Sequence, residues 1–309
     1  MSLTLVGTEV GAGVGAAAGV DPVAAAHRPS YRPFAVEVVS VEDLSPTFRR
    51  LTMTGPDLHE CGATLLDQRV KLVLTEPRPE LLGNDGYAGW RTLPAHRRPA
   101  VRTYTLATVD RVAGTAAIDL ACRPAHGPAS RFAHDAVPGA RFVVIAPDAL
   151  CPDSAVDGIA WHPGAATDVL LVGDETAVPA IRNILRSLPA AATGRVVLDV
   201  PNKEDAVDLA PPADVSLDVL ERDPRGVGVA AAEILHVAAP PVPAPWGRRG
   251  GGPLLWDESE TPAEAATCAW FGGEAAWIAS LRRASRQHGP AASARSFMGY
   301  WRQGRPSPA

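Results

Sequence analysis

The sequence predicts a six-stranded antiparallel β-barrel followed by a doubly wound parallel α/β domain, and three observations carry that prediction. Residues 31–150 are built from short, β-branched, alternating runs with no sustained helical period. From residue 165 the apolar runs become continuous and alternate with amphipathic segments, the pattern of a parallel sheet covered on both faces. At 309 residues, 46% of them hydrophobic, the chain can bury two cores. Its formal charge of −5 supplies no basic field to recruit nucleic acid or an acidic membrane surface, so an anionic ligand has to be met by a local cluster of cations.

Taken in order, residues 1–30 read as a low-complexity, flexible arm. Within it "GVGAAA" (Gly13, Gly15, Ala18) imitates a dinucleotide-binding fingerprint, but Pro22, Pro29 and Pro33 leave no helix for it to open. Six strand candidates follow within 31–150: "FAVEVVSVEDLS", "FRRLTMTGP", "QRVKLVLTEP", "VRTYTLATVD", "AAIDLACRP" and "ARFVVIAP". Residues 77–99, rich in Pro, Gly and Arg, read as a long loop between the third and fourth strands. After a Pro/Gly/Asp-rich connection, the 165–309 domain opens with "DVLLVGDETAVPAIRNILRSL", a strand, a Gly-Asp turn and a helix. "GRVVLDVPN" and "VSLDVLERD" are two more strands. "AATCAWFGGEAAWIASLRRASRQHG" is a fourth running into a helix, and residues 238–262 are a weakly specified insert before it.

Other classes are set aside on composition. Cys61, Cys122, Cys151 and Cys268 are far apart, without the spacing of a zinc or iron–sulfur site, and read as free thiols in a reducing compartment. No Lys or Arg precedes Arg28, so the start lacks the cationic region of a secretory signal, and no apolar run reaches spanning length. The expectation is a cytoplasmic protein with no membrane or nucleic-acid partner.

Four motifs can carry chemistry. At "LLVGDETAVPAI", Gly173 ends a buried strand, and Asp174 and Glu175 either cap the following helix or face a nucleotide there. "WFGGEAAWIASLRR" repeats the plan at Gly272, Gly273 and Glu274. Two such turns at the carboxyl end of one sheet make a crevice for an extended ligand. In "RTYT", Arg102 and Tyr104 share one strand face and Thr103 and Thr105 the other. The arginine either grips the phosphate of an aromatic cofactor or is simply solvated. "GPAS" places Gly127, Pro128, Ala129 and Ser130 at a helix start, a pyrophosphate seat or an ordinary loop–helix junction.

The order of these parts resembles the ferredoxin-reductase-like flavoproteins. More narrowly, "FAVEVVSVEDLSPTFRRLTMTGPDL", "RVKLVL", "VRTYTLA", "GPASRFA", "VLLVGDETAVPAIRNIL", "WFGGE" and "GYWRQG", spanning about residues 32–304, resemble the siderophore-interacting proteins, FAD-containing ferric-siderophore reductases.

That resemblance implies a flavin-binding barrel at 31–150 and an NAD(P)-binding-like domain with a C-terminal tail at 165–309. It implies FAD as cofactor, NADPH or NADH as electron donor and a ferric siderophore as substrate, in a monomer or weak oligomer. Arg102 would bind the FAD pyrophosphate, with Thr103 on the same strand, Tyr104 against the flavin or ribitol, and Thr105 at the flavin N5/O4 edge. Gly127, Ala129 and Ser130 would complete the phosphate seat. Gly173, Asp174, Glu175, Thr176, Gly273 and Glu274 would face the nicotinamide nucleotide, and Tyr300, Trp301 and Arg302 would shape the nicotinamide or substrate side. Lys71, with Thr105 the second residue assigned to the chemistry, would attract the anionic ferric chelate.

Three positions depart from the family pattern: Ala107 stands where an arginine is usual, Arg123 where a histidine is common, and Phe132 where a tryptophan is usual. Arg123 adds a cation near the cofactor. These departures admit two rival readings, a flavoenzyme of the same fold recruited to another, biosynthetic substrate, and a flavin-binding protein without turnover.

Overall fold

The computed structural model describes residues 28–83, 86–122, 127–240, 254–258, 262, 264–286 and 294–303. Residues 1–27 of the expected arm, Arg123, and most of the 238–262 insert lie outside the described residues.

Six strands close the barrel: β1 (Tyr31–Asp43), β2 (Phe48–Thr54), β3 (Arg69–Val73), β4 (Val101–Asp110), β5 (Thr115–Ala121) and β6 (Arg141–Pro147), in the order β1-β2-β5-β4-β3-β6. All neighbours are antiparallel. Alternation sends Phe34, Val36, Leu51, Met53, Val70, Leu72 and Ile118 inward, where they form one core with Leu106 and Phe142. The register of β4 on β5 slips between Leu106 and Thr108, a bulge that sets Ala107, fully buried, off the regular ladder.

The 77–99 stretch is not a featureless loop. It holds the short helix α1 (Gly86–Thr92), because Tyr87 and Trp90, three residues apart, share a helix face and stack at 5.2 Å. Trp90 is buried and donates its indole N–H to the Pro99 carbonyl. Helix α2 (Pro128–Asp135) leads from β5 towards β6.

The second sheet comprises β7 (Asp168–Asp174), β8 (Thr193–Val200), β9 (Asp214–Glu221), β10 (Trp256–Asp257), β11 (Thr267–Glu274) and β12 (Arg295–Trp301), in the order β10-β12-β11-β7-β8-β9. All pairs are parallel except β10 on β12. Helices α3 (Val178–Ser187), α4 (Val229–Ile234) and α5 (Ala275–Ala284) cover it. On β7, Val169 and Leu171 pack with α3, whereas Leu170 and Val172 face the layer of α4 and α5, so the sheet is covered on both sides. Helix α3 ends where Pro189 holds Leu188 in an extended conformation.

Two of the six strands were not anticipated. The β12 run "RSFMGYW" lacks β-branched residues and carries Gly299, so its local preference for strand is weak. Pairing with β11 decides it, including a parallel stack of Phe271 on Phe297 at 4.6 Å. β10 is two residues long.

The two folds share a packed boundary. Helix α3 lies between the sheet and the barrel, and its Asn183 Nδ2 donates to the carbonyls of Leu66 (3.1 Å) and Leu106 (2.9 Å). Buried Asp67 accepts the Trp270 indole N–H at 2.8 Å and the backbone N–H groups of Ala160 and Trp161. Burial pushes the Asp67 carboxyl up, and those three donors hold it back.

Candidate functional site

Strand β4 presents the polar row. Arg102 is half-buried, its Nη1 donates to the carbonyl of Val101 at 2.7 Å, and among the described residues no carboxylate pairs with it. Burial therefore lowers its pKa, as expected for a guanidinium short of an anion. Tyr104 shares its face and packs against the barrel core beside Phe132, which meets Phe142 edge-on at 5.1 Å. Thr105 is buried and Thr103 exposed on the other face.

The N-cap of helix α2, Gly127, sits at φ 94°, a conformation that favours glycine, and among the described residues no side chain caps the helix start. Among the described residues a Cβ built on Gly127 would meet nothing within 4 Å. Among the described residues, a helix start without a side-chain cap on the β5–β6 connection and a half-buried guanidinium without a carboxylate partner on β4 are each donors of the kind a pyrophosphate takes. These residues fit FAD.

The outward face of β3 adds cations. Lys71 pairs with Thr103 and Arg69 with Thr105 in the β3–β4 register. The Lys71 ammonium donates to Thr103 Oγ1 at 3.5 Å and lies 4.7 Å from the centre of the Tyr87 ring. Burial, then repulsion from Arg69, pulls its pKa below the usual lysine value. The Arg69 guanidinium lies 4.3 Å from the centre of the Trp256 ring and pairs with Glu258 at 3.2 Å. Trp256 in turn stacks on Tyr300 at 6.0 Å, and Tyr300 meets Trp270 edge-on at 6.3 Å. Arg69, Tyr87 and Trp256 were missed by sequence reasoning. The alternation "RVK" and the spacing of "YAGW" were the available signals for the first two.

At the carboxyl ends of β7 and β11 the strand order reverses, the position where open α/β sheets bind ligands. Gly173 pairs with Gly272 there. Asp174 Oδ1 accepts the Thr176 N–H at 2.8 Å and its hydroxyl, and Oδ2 accepts the Glu274 N–H at 2.7 Å and the Trp301 indole N–H at 2.8 Å. Glu175, buried, is paired with Arg222, whose Nε also reaches Asp199 at 2.9 Å. Glu274 caps α5, accepting from Ala276 and Trp277, and takes the Gln303 N–H at 3.2 Å. Gly273 lies against the Asp174 carboxylate. Thr176, Trp301 and Arg302 are half-buried. The structure thus gathers Gly173, Asp174, Thr176, Gly273, Glu274 and Trp301 at one place, and turns Glu175 towards Arg222.

A closed antiparallel barrel followed by a mostly parallel sheet with helices on both faces is the ferredoxin-reductase-like fold. Family profiles described as "Siderophore-interacting FAD-binding domain" and "Siderophore-interacting protein" match residues 37–151 and 166–304. The chain belongs to the siderophore-interacting protein family.

Among solved structures, the siderophore-interacting protein SipS from Aeromonas hydrophila is 28% identical with a TM-score of 0.65, covering 90% of this chain and 94% of that one. A siderophore utilization protein from T. fusca, 23% identical, superposes with a TM-score of 0.66 over 91% and 96% of the two chains. A Mycobacterium tuberculosis protein is 33% identical over 201 residues, 62% of this chain and 66% of that protein. The ferric vibriobactin reductase ViuB of Vibrio cholerae is 26% identical over 229 residues, 74% of this chain and 80% of that protein. Among the described residues no helix is long and apolar enough to cross a membrane, and no cluster of His, Cys, Asp and Glu could hold a metal ion.

Proposed function

We propose that this protein is an FAD-dependent oxidoreductase that passes electrons from NADPH or NADH through the flavin to a ferric siderophore, releasing Fe(II). The observation that carries this reading is the half-buried Arg102, which among the described residues has no carboxylate partner, on a barrel whose α2 start has no side-chain cap among them. The likeness to a protein named as a ferric vibriobactin reductase supports the substrate class.

The flavin would supply the conversion between a two-electron nicotinamide donor and one-electron ferric acceptors. The chain's own residues bind and orient. Arg102 and the first turn of α2 meet the pyrophosphate, and Tyr104 backs the ring system. Thr105, buried at the register position opposite Arg69, would offer its hydroxyl to the flavin ring. Lys71, on the same outward face, attracts an anionic chelate. Iron leaves on reduction because hard oxygen donors hold Fe(III) far better than Fe(II).

The purified protein should show a bound or reconstitutable flavin spectrum. It should bleach anaerobically with NADPH or NADH and, on addition of ferric chelates, form ferrous iron captured by a trap. No flavin absorbance would sink the enzyme reading, and bleaching without ferrous iron would sink the siderophore.

A further inference from the structure

At the switch point the chain's own carboxylates take the first N–H donors of both βα turns: Asp174 caps the 3-10 turn Glu175–Ala177 that leads into α3, and Glu274 caps α5. Asp174 accepts the Thr176 N–H on one oxygen and the Glu274 N–H on the other, so a single carboxylate bridges the two βα turns. Glu274 takes the next donors, Ala276 N–H and Trp277 N–H.

Gly273 completes the picture. Its φ of 151° and lack of a side chain make a cradle, and a Cβ there would meet Asp174 Oδ2 at 2.7 Å. A glycine in such a turn lets a ligand phosphate approach the backbone. Here the Asp174 carboxylate makes that approach, and the Trp301 indole N–H closes over it at 2.8 Å. The nearby guanidinium, Arg222, faces Glu175 and Asp199.

We infer that Asp174 is a specificity-determining residue: its carboxylate takes the place of a ligand diphosphate at the switch point and disfavours tight, phosphate-directed binding of the electron donor. The inference rests on the proposal that a nicotinamide nucleotide is that donor. The N–H groups of Thr176, Glu274, Ala276 and Trp277 already have carboxylate acceptors, and a second anion brought there meets like charge. Contacts to the nicotinamide and ribose are left to hold the donor.

ADP, a diphosphate that cannot reduce flavin, is the probe. It is titrated into the FAD-loaded protein while the amide resonances of Thr176 and Glu274 are followed, in the wild type and in Asp174→Gly, which frees both donors. The expected result is that wild-type amides stay still at ADP concentrations that saturate the variant, and that the variant binds ADP about tenfold or more tightly, the scale of one charge-assisted hydrogen bond. Shifts of Thr176 and Glu274 in the wild type at those concentrations, or a folded variant with no gain in ADP affinity, would overturn the inference. If Asp174→Gly does not fold, millimolar ADP on the wild type decides alone, with moved amides counting against the role of Asp174 and still ones for it. Failure of both nicotinamide nucleotides to bleach the flavin would instead remove the proposed donor, a result independent of the ADP titration.

Discussion

Arg182 Nη2 stands 2.6 Å from Asp119 Oδ2, with side-chain exposures of 1% and 2%, so a buried ion pair joins helix α3 of the sheet domain to strand β5 of the barrel. Asp119 also receives Arg50 Nε at 2.7 Å and Nη2 at 3.0 Å, and this pairing holds the Arg50 guanidinium above its ordinary pKa. Removing the shared carboxylate strands Arg182 in the interior. Asp119→Asn is therefore expected to cost roughly 3–5 kcal/mol of stability, the scale for breaking a buried pair from one side. Arg182→Met should cost less, because Asp119 keeps Arg50. Urea unfolding of both variants measures the difference, and equal, small losses would show that the pair does not hold the boundary.

The same boundary bears on Ala107. It is fully buried at the β4 bulge, next to Leu106, whose carbonyl accepts from Asn183 of α3. An arginine at this buried position, as the family resemblance implies, would have to be accommodated near the barrel–α3 boundary marked by the Asn183–Leu106 contact. Ala107→Arg alone is expected to destabilise by about 1–3 kcal/mol through overpacking. Combined with Arg182→Ala, it should recover part of that loss. A double-mutant cycle measures the coupling, and strict additivity would show that the two positions do not share space.

These boundary residues mark where sequence reasoning stopped. The barrel was legible where one face of a strand is buried, which writes a period of two into "FAVEVV". The α/β order was legible from continuous runs such as "DVLLV". By contrast, β12 owes its state to pairing with β11, and nothing local in "SFMGYW" announces it. The residues of the polar row were readable, but not the direction of the carboxylates in "GDET". An aspartate there can cap its own turn or face a ligand, and the choice was fixed by Gly273 and Trp301 arriving from distant parts of the chain. Tyr87 and Trp256 reach Lys71 and Arg69 in the same non-local way.

Arg102 tests the cofactor seat directly. Its guanidinium reaches a neighbouring carbonyl and no carboxylate among the described residues, so a pyrophosphate would gain charge-assisted bonds without displacing an ion pair. Arg102→Gln should weaken FAD binding about tenfold or more, at the 1.5–3 kcal/mol scale of a hydrogen bond to a charged group. Flavin reconstitution followed by fluorescence reads the change. The fold should persist, since the side chain is half-buried and outside the tightly packed part of the barrel core. Unchanged FAD affinity would move the phosphate seat away from β4.

Lys71 separates the two halves of the proposed reaction. It lies at the Thr103 register position, its ammonium over the Tyr87 ring, where it can attract an anionic chelate without touching the donor side at the switch point. Lys71→Ala should slow ferric-chelate reduction severalfold and leave flavin reduction by the nicotinamide nucleotide nearly unchanged, as single-step kinetics will read. Equal slowing of both steps would remove the role.

The pH dependence has a definite sign. With its pKa lowered by burial and by Arg69, Lys71 loses its charge at a lower pH than an ordinary lysine, so the chelate step should fall as pH rises through that depressed value. Lys71→Arg should flatten that alkaline fall. Between the depressed folded pKa and the ordinary unfolded one, the unfolded chain binds more protons at this position, so the wild type should gain stability relative to Lys71→Met as pH rises across that window. Denaturation midpoints of the two proteins at several alkaline pH values check it, and a gap that widens in the opposite sense would show that the ammonium is stabilised rather than desolvated in the folded chain.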